Sequence, residues 1–148
     1  MTNDARPGKE IVDIKTDPIK YAREVVVGRD PFASLLGIKI VDVRDSYARL
    51  SITIKDQFCN AEGRTHGAVL FSLADEAFAV AAHSRGITAF ALEIKINYFQ
   101  GSGPGDTITA EATPLDVRKR VSLWNVTLTN QKAERIGAAQ CMAYHFVK

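Results

Sequence analysis

The sequence predicts an α+β domain in which a mainly antiparallel sheet wraps around one buried helix. Residues 67–84 are apolar on almost every side of a helix, which is typical of a buried element rather than a surface one. Two segments before this stretch and four after it alternate between apolar and polar residues, the pattern of half-buried strands. The connections between these strands are of hairpin length, which favours antiparallel pairing.

The composition is that of one globular domain, with 148 residues, 46% hydrophobic and 24% charged. A formal net charge of +2 gives no reason to expect nucleic acid or a membrane surface as a partner. The most apolar stretch contains Asp75 and Glu76, which excludes a transmembrane helix, and the N-terminus lacks the apolar core of a secretion signal. The two cysteines, Cys59 and Cys141, do not form a disulfide scaffold and are typical of a reducing cytoplasm, so we expect a cytoplasmic location.

The elements follow in order. Residues 1–15 are predicted to be a loose tail, and residues 16–148 a single domain. Thr16-Asp17-Pro18 combines a capping side chain with a proline in the first turn, which predicts a helix to about Val27. Asp30-Pro31 interrupts it, and a short turn of helix to Gly37 follows. Strands are predicted at 38–43, 48–55, 90–98, 107–113, 121–129 and 136–147, with a loop at 57–65 before the central helix.

Asp75 is the sharpest candidate for chemistry. On a helix it shares a face with Phe71, Phe78 and Ala82, so its neighbours are apolar. Burial of a carboxylate is costly, which favours a catalytic or hydrogen-bonding reason for it; alternatively, Asp75 reaches solvent at a helix edge or bonds a neighbouring backbone group. Glu76 points about 100° away on an ideal helix. We expect Glu76 to make a subunit contact or an ion pair.

A second candidate is the segment that leads into the helix, in which Asn60, Gly63 and His66 are three residues apart and Gly67 follows directly. Gly67 is predicted in the first turn, where backbone N–H groups lack intrahelical acceptors and the helix dipole is positive. Such an end can hold a carbonyl oxygen that becomes negative during a reaction. The alternative is a tight loop-to-helix junction without a ligand, in which His66 caps the helix and Asn60 closes its own turn.

Other catalytic motifs are absent from the sequence: it has no GxSxG elbow, no phosphate-binding P-loop and no HExxH motif. The three histidines and the two cysteines are too widely separated to predict a metal site. Arg118, Lys119 and Arg120 lie at a predicted turn. Such a run is either a solvated face or a clamp on ligand phosphates.

Five motifs stand along the chain: Asn60-x-x-Gly63-x-x-His66-Gly67, Phe71-Ser-Leu-Ala-Asp75, Ala77-Phe78-Ala79, Asn97-Tyr98-Phe99 and Gly105-Asp106. Together they resemble those of the hotdog-fold acyl-CoA thioesterases, in particular the phenylacetate-degradation-type branch. The resemblance covers about Phe32 to Phe146, and the family's second glycine after the His-Gly pair is Ala68 here. It implies the hotdog fold, a sheet wrapped around a central helix.

The resemblance also implies roles. Asp75 is the catalytic carboxylate, as general base or as nucleophile; the Gly67 N–H polarises the thioester carbonyl; Asn60 positions water or thioester; His66 shapes the loop. The site would form between two subunits, in a homodimer at least and commonly a homotetramer. Arg118, Lys119 and Arg120 would contact CoA phosphates, and CoA enters as part of the substrate, so no separate cofactor and no metal are expected. The acyl group would be aryl-acetyl or a medium-length fatty chain.

Two other functions stay open at this point. A hotdog domain without catalysis binds acyl-CoA as a sensor or scaffold, although such a domain has little reason to bury an acid beside a thioester. A hotdog hydratase or dehydratase uses a catalytic histidine with an acid, which here would give that role to His66.

Overall fold

The computed structural model describes residues 11–147. The helices are α1 (Pro18–Tyr21), which continues as a π-helical turn (Ala22–Val27), α2 (Pro31–Leu36) and α3 (Gly67–His83), with a 3₁₀ turn at Asp56–Phe58. The strands are β1 (Lys39–Arg44), β2 (Tyr47–Thr53), β3 (Ala89–Tyr98), β4 (Thr107–Val117), β5 (Val121–Thr129) and β6 (Arg135–His145). Two strands before α3 and four after it confirm the predicted α+β order.

The strands form one six-stranded sheet in the order β1-β2-β4-β5-β6-β3, and every neighbouring pair is antiparallel. The register aligns apolar residues on the inner face: Ala110 of β4 lies opposite Leu50 of β2 and Leu128 of β5, and all three are buried. The crossover after α3 places β3 at the end of the sheet, so that β3 is an edge strand beside β6.

Helix α3 lies on the inner face of the sheet, where it contacts β2, β3, β4 and β5. Its buried side chains include Leu73, Ala77 and Phe78, and the Phe78 ring packs against Trp124 of β5 with 6.3 Å between ring centroids. This confirms the predicted buried central helix. Among the residues described, no helix is long and apolar enough to cross a membrane.

The N-terminal segment differs from its prediction. The expected single helix to Val27 begins as predicted, since the Asp17 side chain accepts a hydrogen bond from the Lys20 N–H at 2.9 Å. After Tyr21, however, it widens into the π-helical turn. The Tyr21 ring stacks on His83 at the end of α3, with 6.1 Å between centroids. Most of the predicted tail, residues 1–15, lies outside the described residues.

Strand β4 is longer than its alternation predicted, since it runs to Val117 rather than to Thr113. The register shifts between Pro114 and Asp116 where it pairs with β5. A proline cannot donate to the sheet, and a bulge breaks the period of two, so the pattern hides the last residues of the strand.

Candidate active site

The loop before α3 is held together by Asn60. Its side-chain Oδ1 accepts hydrogen bonds from the backbone N–H groups of Glu62, at 3.0 Å, and Arg64, at 3.1 Å. Its backbone N–H donates to the Arg64 carbonyl oxygen at 2.7 Å. Gly63 within this loop has φ +70°, a conformation that favours glycine. Asn60 therefore closes its own turn, which is the alternative that the sequence left open. These hydrogen bonds use Oδ1, and the Nδ2 donors of the exposed side chain take no part in them.

His66 is the N-cap of α3. Its Nδ1 accepts a hydrogen bond from the Ala68 N–H at 3.0 Å, which requires an unprotonated Nδ1. Its own backbone N–H donates to the Phe58 carbonyl oxygen at 2.8 Å and so fixes the junction. The next amide, that of Gly67, donates to no acceptor within residues 11–147. Gly67 therefore presents an unpaired N–H at the positive end of a 17-residue helix.

Tyr98, the last residue of β3, holds Gly67 from the other side. Its hydroxyl donates to the Gly67 carbonyl oxygen at 2.8 Å. A Cβ at position 67 would lie 3.1 Å from both Cζ and Oη of Tyr98, so glycine lets the phenol ring approach without a shift of the side chain. Glycine at the helix start thus favours a close contact with a neighbouring strand, which no local sequence pattern reveals.

A pocket of about 300 Å³ opens at this end of α3. Two of its side chains are tied together, since the Ser102 hydroxyl donates to Thr65 Oγ1 at 2.7 Å in a buried position. The pocket is lined by Thr65, Gly67, Leu70, Tyr98, Phe99, Gln100, Gly101 and Ser102. Its size lies at the lower end of small-molecule sites, and it joins the unpaired Gly67 amide to a partly apolar wall.

Asp75 lies further along α3 and is half-buried. Burial raises the pKa of its carboxyl group, and the charge of Asp30 at the start of α2 raises it further. Burial raises the pKa of the Cys141 thiol on the inner face of β6, and the Asp75 charge raises it further by a smaller amount. A carboxyl group with a raised pKa is a better proton acceptor when ionised, which suits a general base.

Within one chain the helix keeps Asp75 and Gly67 apart. They are separated by eight residues of α3, which is about 12 Å at 1.5 Å per residue. One thioester cannot touch both groups in a single copy, because a nucleophile and an oxyanion donor must lie within about 3 Å of adjacent atoms.

The chain is similar to proteins of a known family. The model of the thioesterase superfamily matches residues 62–136, which include α3 and Asp75. The chain belongs to the thioesterase superfamily. The acyl-coenzyme A thioesterase PaaI of Escherichia coli is 34% identical over 107 residues, which are 72% of this chain and 76% of PaaI.

Solved structures agree with the PaaI-like branch of this thioesterase superfamily. The Escherichia coli PaaI protein, from the phenylacetic acid degradation operon, has a TM-score of 0.84 at 27% identity, over 90% of this chain and 96% of the other. A mutant of the phenylacetic acid degradation protein PaaI from Thermus thermophilus has a TM-score of 0.76 at 26% identity, over 79% and 100%. The predicted hotdog fold is therefore confirmed.

The thioesterase structure brings some predicted site residues together and separates others. Asn60, His66 and Gly67 form one unit at the start of α3. Asp75 stands apart from that unit, and Arg118–Arg120 stand further away, in the turn between β4 and β5. Val121, which follows this turn, pairs with Tyr144, whereas the Gly67 end is marked by Tyr98, which pairs with Gly137. The basic turn thus lies at the opposite end of the sheet from Gly67.

Two features of the candidate site were missed from the sequence. Tyr98 was noted only as part of a motif, and the charge of Asp30 beside Asp75 had no sequence signal because the residues are far apart in the chain. Glu76 is buried, and its Oε1 has no hydrogen-bond partner among residues 11–147. The subunit contact or ion pair expected of Glu76 stays a prediction. Among residues 11–147 no group of His, Cys, Asp or Glu side chains is suited to hold a metal ion.

Proposed function

We propose that this chain is an acyl-CoA thioesterase, which converts an acyl-CoA and water into a carboxylic acid and free CoA. The observation that carries the proposal is the pairing, on one helix, of an unpaired N-terminal amide at Gly67 and a carboxyl group with a raised pKa at Asp75. The first stabilises an oxyanion and the second activates water or attacks a carbonyl carbon. The E. coli relative, an acyl-coenzyme A thioesterase, supports this chemistry.

The reaction assigns one task to each group. The thioester oxygen accepts a hydrogen bond from the Gly67 N–H, which stabilises the tetrahedral intermediate. As a general base, Asp75 takes a proton from water while the water oxygen attacks the carbonyl carbon; the C–S bond then breaks and the proton passes to the CoA sulfur. As a nucleophile, the Asp75 carboxylate instead attacks the carbonyl carbon, and the C–S bond breaks to give an anhydride and the CoA thiolate. Water then hydrolyses the anhydride to the Asp75 carboxylate and the free acid, and the proton released passes to the thiolate. Asn60 positions water or the thioester through Nδ2, and His66 holds the helix start through its cap.

A homodimer at least is part of the proposal, because Asp75 and Gly67 of one copy are too far apart to serve one thioester. In a dimer, one thioester can instead contact Asp75 of one subunit and the Gly67 amide of the other. Strand β3 supplies an open edge for such contact: it is ten residues long, pairs with β6 alone among the strands described, and exposes Leu92 and Tyr98. Two such dimers would form the homotetramer that the resemblance implies.

The substrate is proposed to be an aryl-acetyl-CoA or a medium-chain acyl-CoA. Of the phenylalanines that surround the predicted site, Phe78 fills the core, whereas Phe32 and Phe71 remain 54% and 36% exposed. Exposed aromatic rings near an ionisable carboxyl group can contact either acyl class. CoA enters with the substrate, and its phosphates are assigned to Arg118, Lys119 and Arg120. A cytoplasmic location, in keeping with the free thiols of Cys59 and Cys141, completes the proposal.

The test is thiol release from a panel of aryl-acetyl-CoA and fatty acyl-CoA substrates by the wild type, Asp75→Asn and Glu76→Gln. Asp75→Asn is expected to lower kcat at least about 100-fold, because the amide neither accepts the proton nor attacks the carbonyl. Glu76→Gln is the matched control, an isosteric change at the next residue, and should keep its activity within a few-fold. Absence of turnover by the wild type, with acyl-CoA binding retained, would contradict the proposal and favour a non-catalytic acyl-CoA-binding protein.

A further inference from the structure

Two buried hydroxyl groups lie in the pocket at the start of α3. Thr65 and Ser102 are only 8% and 6% exposed, and both line the pocket together with Gly67. Two hydrogen bonds join them: the Ser102 hydroxyl donates to Thr65 Oγ1 at 2.7 Å, and the Thr65 backbone N–H donates to the Ser102 carbonyl oxygen at 2.9 Å. The segment that leads into α3 is thus tied to the loop that follows β3. We call these two side chains the hydroxyl pair.

The hydroxyl pair has one hydrogen more than its own bond uses. Two hydroxyl groups carry two hydrogens, and the bond from Ser102 to Thr65 takes one of them. The hydrogen of the Thr65 hydroxyl is left over, and no acceptor for it is found among residues 11–147. Because a buried donor without an acceptor lowers stability, a ligand or a water molecule in the pocket has to supply one.

A second free donor borders the same pocket. The Gly67 amide, two residues after Thr65, is unpaired within the part of the chain that the structure describes. It lies at the positive end of α3. His66 between them has an extended backbone, with φ −64° and ψ 134°, and its cap on the Ala68 N–H fixes the path of the chain. The Thr65 hydroxyl and the Gly67 amide are therefore neighbouring donors on one wall of the pocket.

The acceptor that gains most from two such donors is an oxygen that becomes negative. A neutral acceptor gains little when it exchanges water for a protein donor, whereas a developing oxyanion is stabilised by each donor that is already fixed in place. The thioester carbonyl oxygen is such an atom. We propose that the Thr65 hydroxyl is a second hydrogen-bond donor to this oxygen, beside the Gly67 N–H; this rests on the proposed thioesterase function.

The two members of the hydroxyl pair have different roles in this arrangement. Thr65 touches the reacting oxygen and is a catalytic residue. Ser102 is a positioning residue, because its hydrogen is committed to Thr65 Oγ1 and so turns the Thr65 hydrogen away from Ser102. A hydroxyl group that accepts one hydrogen bond is also polarised to donate another, so Ser102 strengthens Thr65 as a donor.

The test separates the loss of the Thr65 donor from the loss of the bond within the hydroxyl pair. Thr65→Val and Ser102→Ala both break this bond, but only Thr65→Val removes the donor. We expect Thr65→Val to lower kcat about tenfold or more with KM near the wild-type value, and the matched control Ser102→Ala to lower kcat only a few-fold. Thr65→Ser keeps the hydroxyl and should restore kcat. If Thr65→Val does not fold, Thr65→Ala removes the same hydroxyl without placing a methyl group against Ser102.

Binding of a substrate analogue shows whether the hydroxyl acts on the carbonyl oxygen. The probe is the thioether of CoA in which a CH₂ group replaces the carbonyl of an acyl-CoA that the wild type hydrolyses, and its affinity is measured by titration calorimetry. Since the thioether has no carbonyl oxygen, Thr65→Val should bind it within about twofold of the wild-type affinity. A fall in kcat without a fall in this affinity assigns the hydroxyl to the carbonyl oxygen.

Three results would overturn the inference: an unchanged kcat in Thr65→Val, an equal fall in Ser102→Ala, or a loss of thioether affinity as large as the fall in kcat. The second result would make the hydroxyl pair a tie between two loops, and the third would make it a contact with another part of the substrate. An inactive wild type is a different outcome, which contradicts the proposed function itself, and the inference then falls with it.

Discussion

Glu76→Gln is expected to stabilise this thioesterase increasingly as the pH rises. The Glu76 side chain is only 9% exposed, and its Oε1 has no hydrogen-bond partner within residues 11–147. Burial raises the pKa of its carboxyl group from 4.5 to about 7, and the charges of Asp30 and Asp75 add to the effect. The folded state therefore holds a proton that the unfolded state releases at lower pH.

The magnitude follows from that difference in pKa. Below pH 4.5 both states are protonated and Glu76 has no electrostatic effect on stability. Between pH 4.5 and about 7 the folded state binds more protons than the unfolded state, so the free energy of unfolding falls by up to about 1.4 kcal/mol per pH unit. The loss is complete above the folded pKa of about 7 and sums to about 3 kcal/mol. Glutamine does not titrate, and its own packing cost is constant with pH.

The assay is urea unfolding of the wild type and Glu76→Gln from pH 5 to pH 8.5 at one protein concentration, because assembly contributes to stability. The difference in free energy of unfolding between the two proteins should increase in favour of Glu76→Gln up to about pH 7 and then level off. Glu93→Gln, at an exposed position of β3, is the control and should give no such increase. A difference that stays flat across this range would refute a protonated, buried Glu76.

Three further predictions concern other charges and contacts. Asp30→Asn keeps a capping side chain but removes a charge that raises the pKa of Asp75. The acid limb of the pH profile of kcat/KM should therefore move to lower pH, and an unmoved limb would contradict this. Tyr98→Phe removes the hydrogen bond to Gly67 and should lower kcat up to about tenfold with little change in thermal stability, whereas an unchanged kcat would exclude a positioning role. Burial lowers the pKa of His145 below 6.5, with smaller effects from Arg85 and His83, so stability should fall as the pH drops below 6.5. His145→Gln should lose that acid-dependent component in urea unfolding, and an identical pH profile would disprove it.

Much of the fold could be predicted because local patterns carry it. Alternation along β3 and β5 and the apolar surface of α3 locate the main elements to within a few residues. The prediction was wrong where two residues or elements far apart in the chain interact. The π-helical turn lies where Tyr21 stacks on His83, and the end of β4 is masked by the bulge that follows Pro114.

The candidate site was predicted in its parts but not in its arrangement. The spacing of Asn60, His66 and Gly67 marks the start of a helix, and each residue is held there by short-range hydrogen bonds. The distance from Gly67 to Asp75 also follows from the helix alone. The burial of Glu76 was not predicted, because it depends on the elements that pack over α3. The subunit contact or ion pair expected of Glu76 stays a prediction.

The sequence by itself determined the order of elements, the buried central helix, the amide at Gly67 and the carboxyl group at Asp75. These features depend on backbone geometry and on periods of two and 3.6 residues, which act over a few neighbours. The tertiary structure alone decided that Tyr98 reaches Gly67, that Asp30 lies near enough to Asp75 to raise its pKa, and that Arg120 reaches the Tyr144 hydroxyl. Each of these contacts joins residues about 24 or more apart in the chain. Such contacts depend on how strands and helices pack, because the energy of a side-chain contact or charge is set by the distance in space and not by the distance along the sequence.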